Sequence, residues 1–148
     1  MGTLRIYDCD NGVLALELRH LIDLLAPRSI QAIWTVSPVK LFCSELNSFE
    51  EDFDAIGQGG DPLEVLARNR SSVSGTVLAE LAKATRQVIW GEFEALLPEQ
   101  DRVWVSIRAI DSTFYELGTS DEAVLNKIKS SYKDVRVASA PVTSTPIT

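Results

Sequence analysis

Residues 88–117 read VIWGEFEALLPEQDRVWVSIRAIDSTFYEL, and the fold turns on how this stretch is read. From Arg102 to Ile110 the residue types alternate strictly. Val103, Val105, Ile107 and Ala109 share one side of an extended chain, and Trp104, Ser106, Arg108 and Ile110 share the other. A loop at Pro98, Glu99 and Gln100 returns the chain from a preceding strand over residues 88–97. Pairing the two places Ile89, Gly91, Phe93 and Ala95 opposite Ala109, Ile107, Val105 and Val103. Slipping this register by one residue would push Glu92 and Glu94 into the apolar face, so the choice of faces is strongly specified. The turn at Asp111-Ser112 leads to a third strand over residues 113–117, completing a meander. In that third strand either Phe114 and Glu116 or Tyr115 and Leu117 face inward.

Working outward, four amphipathic helices are expected. The first covers about residues 12–25, with Leu14, Leu18, Leu21, Ile22 and Leu25 on one stripe, Asp10 or Asn11 as cap and Pro27 as stop. A second follows Asp61 over about residues 62–69. The third, about residues 75–87, has Ser74 as cap and Val73 set to staple onto Leu78. The fourth, about residues 120–132, has a Thr119/Glu122 capping box and a stripe of Val124, Leu125, Ile128 and Tyr132. Further strands are expected at residues 4–7, 30–36, 39–46 and 134–138. Residues 49–56 fit both a helical and a strand period, and the period alone does not choose.

These elements predict an α+β domain: an antiparallel sheet of about five or six strands with amphipathic helices packed mainly on one face. One domain is expected over residues 1–138. The uncharged, Ser/Thr/Pro-rich residues 139–148 read as a flexible or extended tail.

Charge and cysteine content bound the function. Fourteen Lys+Arg against twenty-one Asp+Glu give a formal net charge of −7. Binding to nucleic acid or an anionic membrane needs clustered positive charge, so neither partner is expected. An acidic surface keeps the chain soluble or recognises a basic partner. Cys9 and Cys43 are isolated and His20 is the lone histidine, which removes the usual zinc patterns. No cofactor and no metal are expected. Unpaired cysteines and the lack of a signal-peptide pattern point to a reducing cytoplasm.

Asp8-Cys9-Asp10-Asn11-Gly12-Val13, after the apolar Ile6 and Tyr7, resembles the first motif of haloacid-dehalogenase-type phosphatases. The resemblance implies a nucleophilic Asp8, an acid/base Asp10 and a bound magnesium ion. Here Asn11 stands between the second aspartate and the glycine. The plain reading of the same residues is that they turn the chain and cap the first helix. Glu45, Glu50, Glu51, Asp52 and Asp54 could gather a divalent cation or simply form a solvated face. Gly57-Gln58-Gly59-Gly60 lacks the lysine of a phosphate loop and reads as a loop.

The candidate site is the polar side of the meander: Trp90, Glu92, Glu94, Trp104, Arg108 and Tyr115. The register above sets Trp90 opposite Arg108, Glu92 opposite Ser106 and Glu94 opposite Trp104. Tryptophan and arginine are enriched in binding hot spots. A covered second core layer is the competing reading, and glutamates at alternate positions argue against deep burial. The expected function is a small acidic, non-catalytic binding or regulatory module that contacts a protein partner or its own copy through this face. The alternative is a small metal-dependent hydrolase using the N-terminal carboxylates.

Overall fold

A computed structural model describes residues 2–43 and 48–138, with side chains described outside 42–49. The expected tail and the far end of the expected 39–46 strand lie outside the described residues. The N-terminal half contains β1 (Gly2–Ile6), β2 (Cys9–Asp10), β3 (Val13–Leu14), α1 (Leu18–Leu24), α2 (Arg28–Gln31), β4 (Ile33–Ser37), β5 (Val39–Cys43), β6 (Ser48–Asp52) and β7 (Asp54–Gly57). After it come α3 (Gly60–Arg68), β8 (Ser72–Ser74), α4 (Gly75–Ala84), β9 (Thr85–Leu96), β10 (Val103–Ile110), β11 (Phe114–Thr119), α5 (Glu122–Ser131) and β12 (Val135–Val137).

The fold is α+β. Its main sheet has eight strands in the order β12-β1-β11-β10-β9-β4-β8, with β7 pairing the first part of β9. The pairings in it are antiparallel. The count exceeds the expected five or six because β8, three residues long, is too short to display a period of two, and β7 lies in the 49–56 stretch whose period did not choose, whereas β12 falls within the strand expected at 134–138. Residues 49–56 belong to two strands, β6 and β7, separated at Phe53.

Strands β9, β10 and β11 form the expected meander, with a corrected register. Phe93 faces Ile107 and Ala95 faces Val105, two residues from the expected partners. A shift of two leaves each side chain on its own face, so the apolar alternation cannot detect it. A bulge supplies the physical reason: Val103 pairs with Leu96 and Val105 with Ala95, so Trp104 is an extra residue on β10.

The inner face carries Phe93, Ala95, Val105, Ile107, Ala109, Tyr115, Leu117, Leu4, Ile6, Trp34 and Val36, all buried in one cluster. The helices cover this side. Leu18, Leu21 and Ile22 of α1, Leu63 and Ala67 of α3, Leu78 and Ala82 of α4, and Val124, Leu125 and Ile128 of α5 join the same cluster, with Ile30 of α2 at its edge. Each large aliphatic or aromatic side chain buried this way contributes about 1.5–3 kcal/mol. Among the described residues, no helix is long and apolar enough to cross a membrane.

The first helix starts later than its leucine stripe suggests. Asn11 and Gly12 have φ of 52° and 78°, the left-handed conformation a two-residue hairpin turn needs. They join β2 to β3, with Cys9 opposite Leu14 and Asp10 opposite Val13. Neither Asp10 nor Asn11 caps the helix. Glu17 does: its side chain accepts the His20 N–H, and its own N–H donates to His20 Nδ1 at 2.8 Å. Pro27 ends α1 as expected, and α2 then takes the first residues of the expected 30–36 strand. The buried Trp34 indole N–H donates to the Ser29 carbonyl at 2.8 Å, tying that short helix to β4. α4 begins on the expected Ser74 cap but ends at Ala84, where Thr85 enters β9. α5 is capped by Asp121 in place of Thr119.

Candidate functional site

The outer face of the sheet is assembled by register. Ser37 pairs with Glu92, Glu92 with Arg108, Arg108 with Glu116, Glu116 with Arg5, and Arg5 with Arg136. One row thus crosses β4, β9, β10, β11, β1 and β12, and alternates in charge from Glu92 to Arg5. Glu116 is 5% exposed and bridges two guanidinium groups, Arg5 Nε at 3.0 Å and Arg108 Nη1 at 3.2 Å. Arg108 Nε lies 2.9 Å from Glu92 Oε1, an ionic contact with poor hydrogen-bond alignment. Its Nη2 donates to the Lys40 carbonyl at 3.1 Å. Burial pushes the Glu92 carboxyl up, Arg108 opposes that shift, and the charge of Glu94 reinforces it. Thr35, Glu94 and Ser106 form the adjacent row.

On the other side of the charged row lies an aromatic block. Trp90, Ile110 and Phe114 are cross-strand neighbours, and Val39 and Leu41 of β5 pack on them as a second small core. Tyr7 stacks near Phe114 with centroids 4.8 Å apart. Arg5 lies 5.3 Å from the Phe114 centroid, and Arg136 lies 3.9 Å from that of Tyr7. The β5–β6 hairpin, with Lys40 opposite Glu51 and Leu41 opposite Glu50, therefore covers one end of the outer face. A cleft of about 300 Å³ remains beside it, lined by Leu41, Glu50, Asp52, Trp90, Ile110, Asp111, Thr113 and Phe114.

Four of the six expected site residues meet on this face: Trp90, Glu92, Glu94 and Arg108, all half-buried. Their pairings differ from expectation, since Arg108 faces Glu92 and Trp90 faces Ile110. The expected Arg108–Trp90 pair is thereby replaced by an ion pair. Trp104 leaves the row. The bulge turns it to the far end of the sheet, where it is 5% exposed and joins the main core. There its indole N–H donates to Asp121 Oδ2 at 3.0 Å, and Arg28 meets the same oxygen at 3.0 Å while lying 5.7 Å from the ring centroid. The indole hydrogen bond, with the backbone N–H groups of α5 and Arg28, holds the Asp121 carboxyl below the usual range.

Tyr115 also belongs elsewhere. It is 0% exposed on the inner face, and Phe114 and Glu116 take the outward positions. Burial, with the nearby Glu17 carboxylate adding to it, pushes its phenol up. Among the described residues, its hydroxyl and Glu17 Oε2 are buried without a well-aligned hydrogen-bond partner. Sequence reasoning missed Arg5 and Glu116 as members of the charged row. Their signal was alternation within β1 and β11, but only pairing shows that both strands extend the same face.

The phosphatase-like segment has a structural role in the architecture. Asp8 Oδ1 accepts the N–H groups of Lys133 at 3.1 Å and Asp134 at 2.6 Å, and its Oδ2 accepts that of Lys133 at 2.9 Å. Cys9 and Asp10 are exposed on the β2–β3 hairpin. The strand before it, β1, pairs antiparallel with both β11 and β12. Among the described residues, no group of three or more His, Cys, Asp or Glu side chains is placed to hold a metal ion. Glu51 is paired with Arg70 at 2.8 Å, and Glu45 lies outside the described residues. Gly57 ends β7, and Gly60 opens α3 with Asp61 in its first turn. Compared with protein-family models, curated proteins and solved structures, the chain matches none.

Proposed function

We propose that the chain is a non-catalytic binding or regulatory module that meets a protein partner, or a second copy of itself, through the outer face of the main sheet. One observation carries this reading. The helices pack into the inner cluster, which leaves Trp90, Glu92, Glu94 and Arg108 half-buried on the side without a helical layer. A partly hydrated tryptophan beside fixed charges supplies apolar area together with orientation, the combination found at binding hot spots. Arg108 keeps its guanidinium on Glu92, Glu116 and the Lys40 carbonyl. It therefore holds Glu92 in place, and Trp90, Glu92 and Glu94 make the contact. The exposed thiol of Cys9 suits a reducing compartment such as the cytoplasm.

The test selects ligands from a displayed peptide library with the full chain and counter-screens them against Glu94→Arg. Sedimentation velocity on both proteins reads self-association. Ligands, or a dimer, lost with Glu94→Arg at unchanged thermal stability support the reading. Ligands that bind both proteins equally, with both proteins monomeric, overturn it.

A further inference from the structure

The cleft beside the β5–β6 hairpin joins two features suited to one kind of guest. Its floor is apolar and aromatic, made by Leu41, Trp90, Ile110 and Phe114. Its rim carries Glu50, Asp52 and Asp111, all exposed. Phe114 already has one guanidinium, that of Arg5, near its ring. Asp111 and Ser112 both have left-handed φ, 51° and 56°, in the two-residue turn that fixes the Asp111 side of the rim. The Thr113 hydroxyl donates to the Asp111 carbonyl at 3.2 Å and braces that turn.

We infer that this cleft takes a lysine or arginine side chain presented by a basic protein partner. The inference rests on the outer-face reading above and names the partner's chemistry. A long basic side chain has an apolar stem for Leu41 and Ile110 and a cationic head for the carboxylates. The Trp90 and Phe114 rings attract a cation electrostatically. About 300 Å³ accommodates one such side chain with part of its backbone. Charge selects the partner over a second copy. At a formal charge of −7 two copies repel, whereas a basic segment is drawn to the rim and its docking weakens with salt.

The experiment titrates the full chain with a blocked nonapeptide alternating Lys and Arg with Ala, at low and high salt. A peptide carrying Gln in place of Lys and Arg serves as control. The Trp90 indole NMR resonance reports on the floor, since Trp34 and Trp104 are buried. The expected result is saturable binding by the basic peptide alone, a shifted Trp90 resonance, and affinity lowered about fivefold or more in Asp52→Asn/Asp111→Asn. Glu64→Gln/Asp23→Asn removes equal charge away from the cleft and is expected to leave the affinity near wild type.

Absence of binding, or equal weakening by the two double variants, overturns the inference. Binding lost with Glu94→Arg but retained in Asp52→Asn/Asp111→Asn also overturns it, while leaving the outer-face reading intact. Sedimentation showing a dimer that Asp52→Asn/Asp111→Asn dissociates would assign the cleft to a second copy and overturn the choice of a basic partner.

Discussion

Arg108 stands between two carboxylates and a carbonyl, and each of its neighbours depends on it. Removing it would strip the nearly buried Glu116 of the guanidinium at 3.2 Å and Glu92 of the one at 2.9 Å. A half-broken buried ion network costs more than its absence, because the remaining charge stays desolvated. Arg108→Ala should therefore destabilise the fold by about 2–4 kcal/mol, and adding Glu116→Gln should restore part of that. Chemical denaturation of the single and double variants measures both effects. Glu17 has the reverse logic. Burial pushes its carboxyl up to about 7 from 4.5, against a smaller opposing effect of Arg19. Since the folded state favours the proton, this contribution is fully present below pH 4.5 and is lost as pH rises through 7. Glu17 is half-exposed, so screening reduces the effect to about 1 kcal/mol. Wild type minus Glu17→Gln, compared by denaturation midpoint at pH 5 and pH 8, should fall by that amount, because the amide keeps an acceptor for His20 N–H and does not titrate. Residue types alone identified Trp90, Glu92, Glu94 and Arg108 as one face. They did not identify Arg108's partners, which depend on a register that alternation leaves free by steps of two.

At the scale of elements, periodicity located most segments and local chemistry fixed their ends. Leu14 extends the α1 stripe in sequence, yet Asn11-Gly12 favours a hairpin turn, and the chain takes the turn. The Ser74 cap was legible and is used: its hydroxyl accepts the Val77 N–H at 3.2 Å. The next residue, Gly75, shows what was not legible. A Cβ there would stand 2.2 Å from the Ser29 carbonyl oxygen and 2.4 Å from that of Ile30. Those are backbone atoms and cannot rotate away, so α4 approaches α2 only because this position lacks a side chain. Gly75→Ala should cost about 3 kcal/mol or more despite alanine's better helix propensity, whereas Thr76→Ala, one residue on and exposed, should change stability by about 0.5 kcal/mol or less. Thermal melts of the two variants give the comparison. The bulge at Trp104 is of the same kind. Alternation continues through residue 104, and only the pairing of Leu96 with Val103 makes room for an extra residue.

For the whole molecule, the sheet is completed by strands from both ends of the described chain. β1 pairs with β11 on one side and β12 on the other, and Asp8 fastens the turn before β12 through its backbone amides. Asp8→Ala should leave the inner core folded and selectively loosen β12. Amide hydrogen exchange at Val135 to Val137 should speed up about tenfold, with Phe93 and Ile107 unchanged. Equal acceleration at all these amides would show that Asp8 supports the entire fold.

The sequence by itself determined the α+β class, the one-sided packing of the helices, and the inward facing of Phe93, Ala95, Val105, Ile107 and Ala109. Those properties follow from the spacing of apolar residues, which the chain carries wherever it folds. Only the tertiary structure decided the pairing of Glu92 with Arg108, the departure of Trp104 and Tyr115 from the outer face, and the cleft beneath β5 and β6. Each depends on which strand lies beside which and at what offset. A period of two repeats identically at every second residue, so long-range contact has to make that selection.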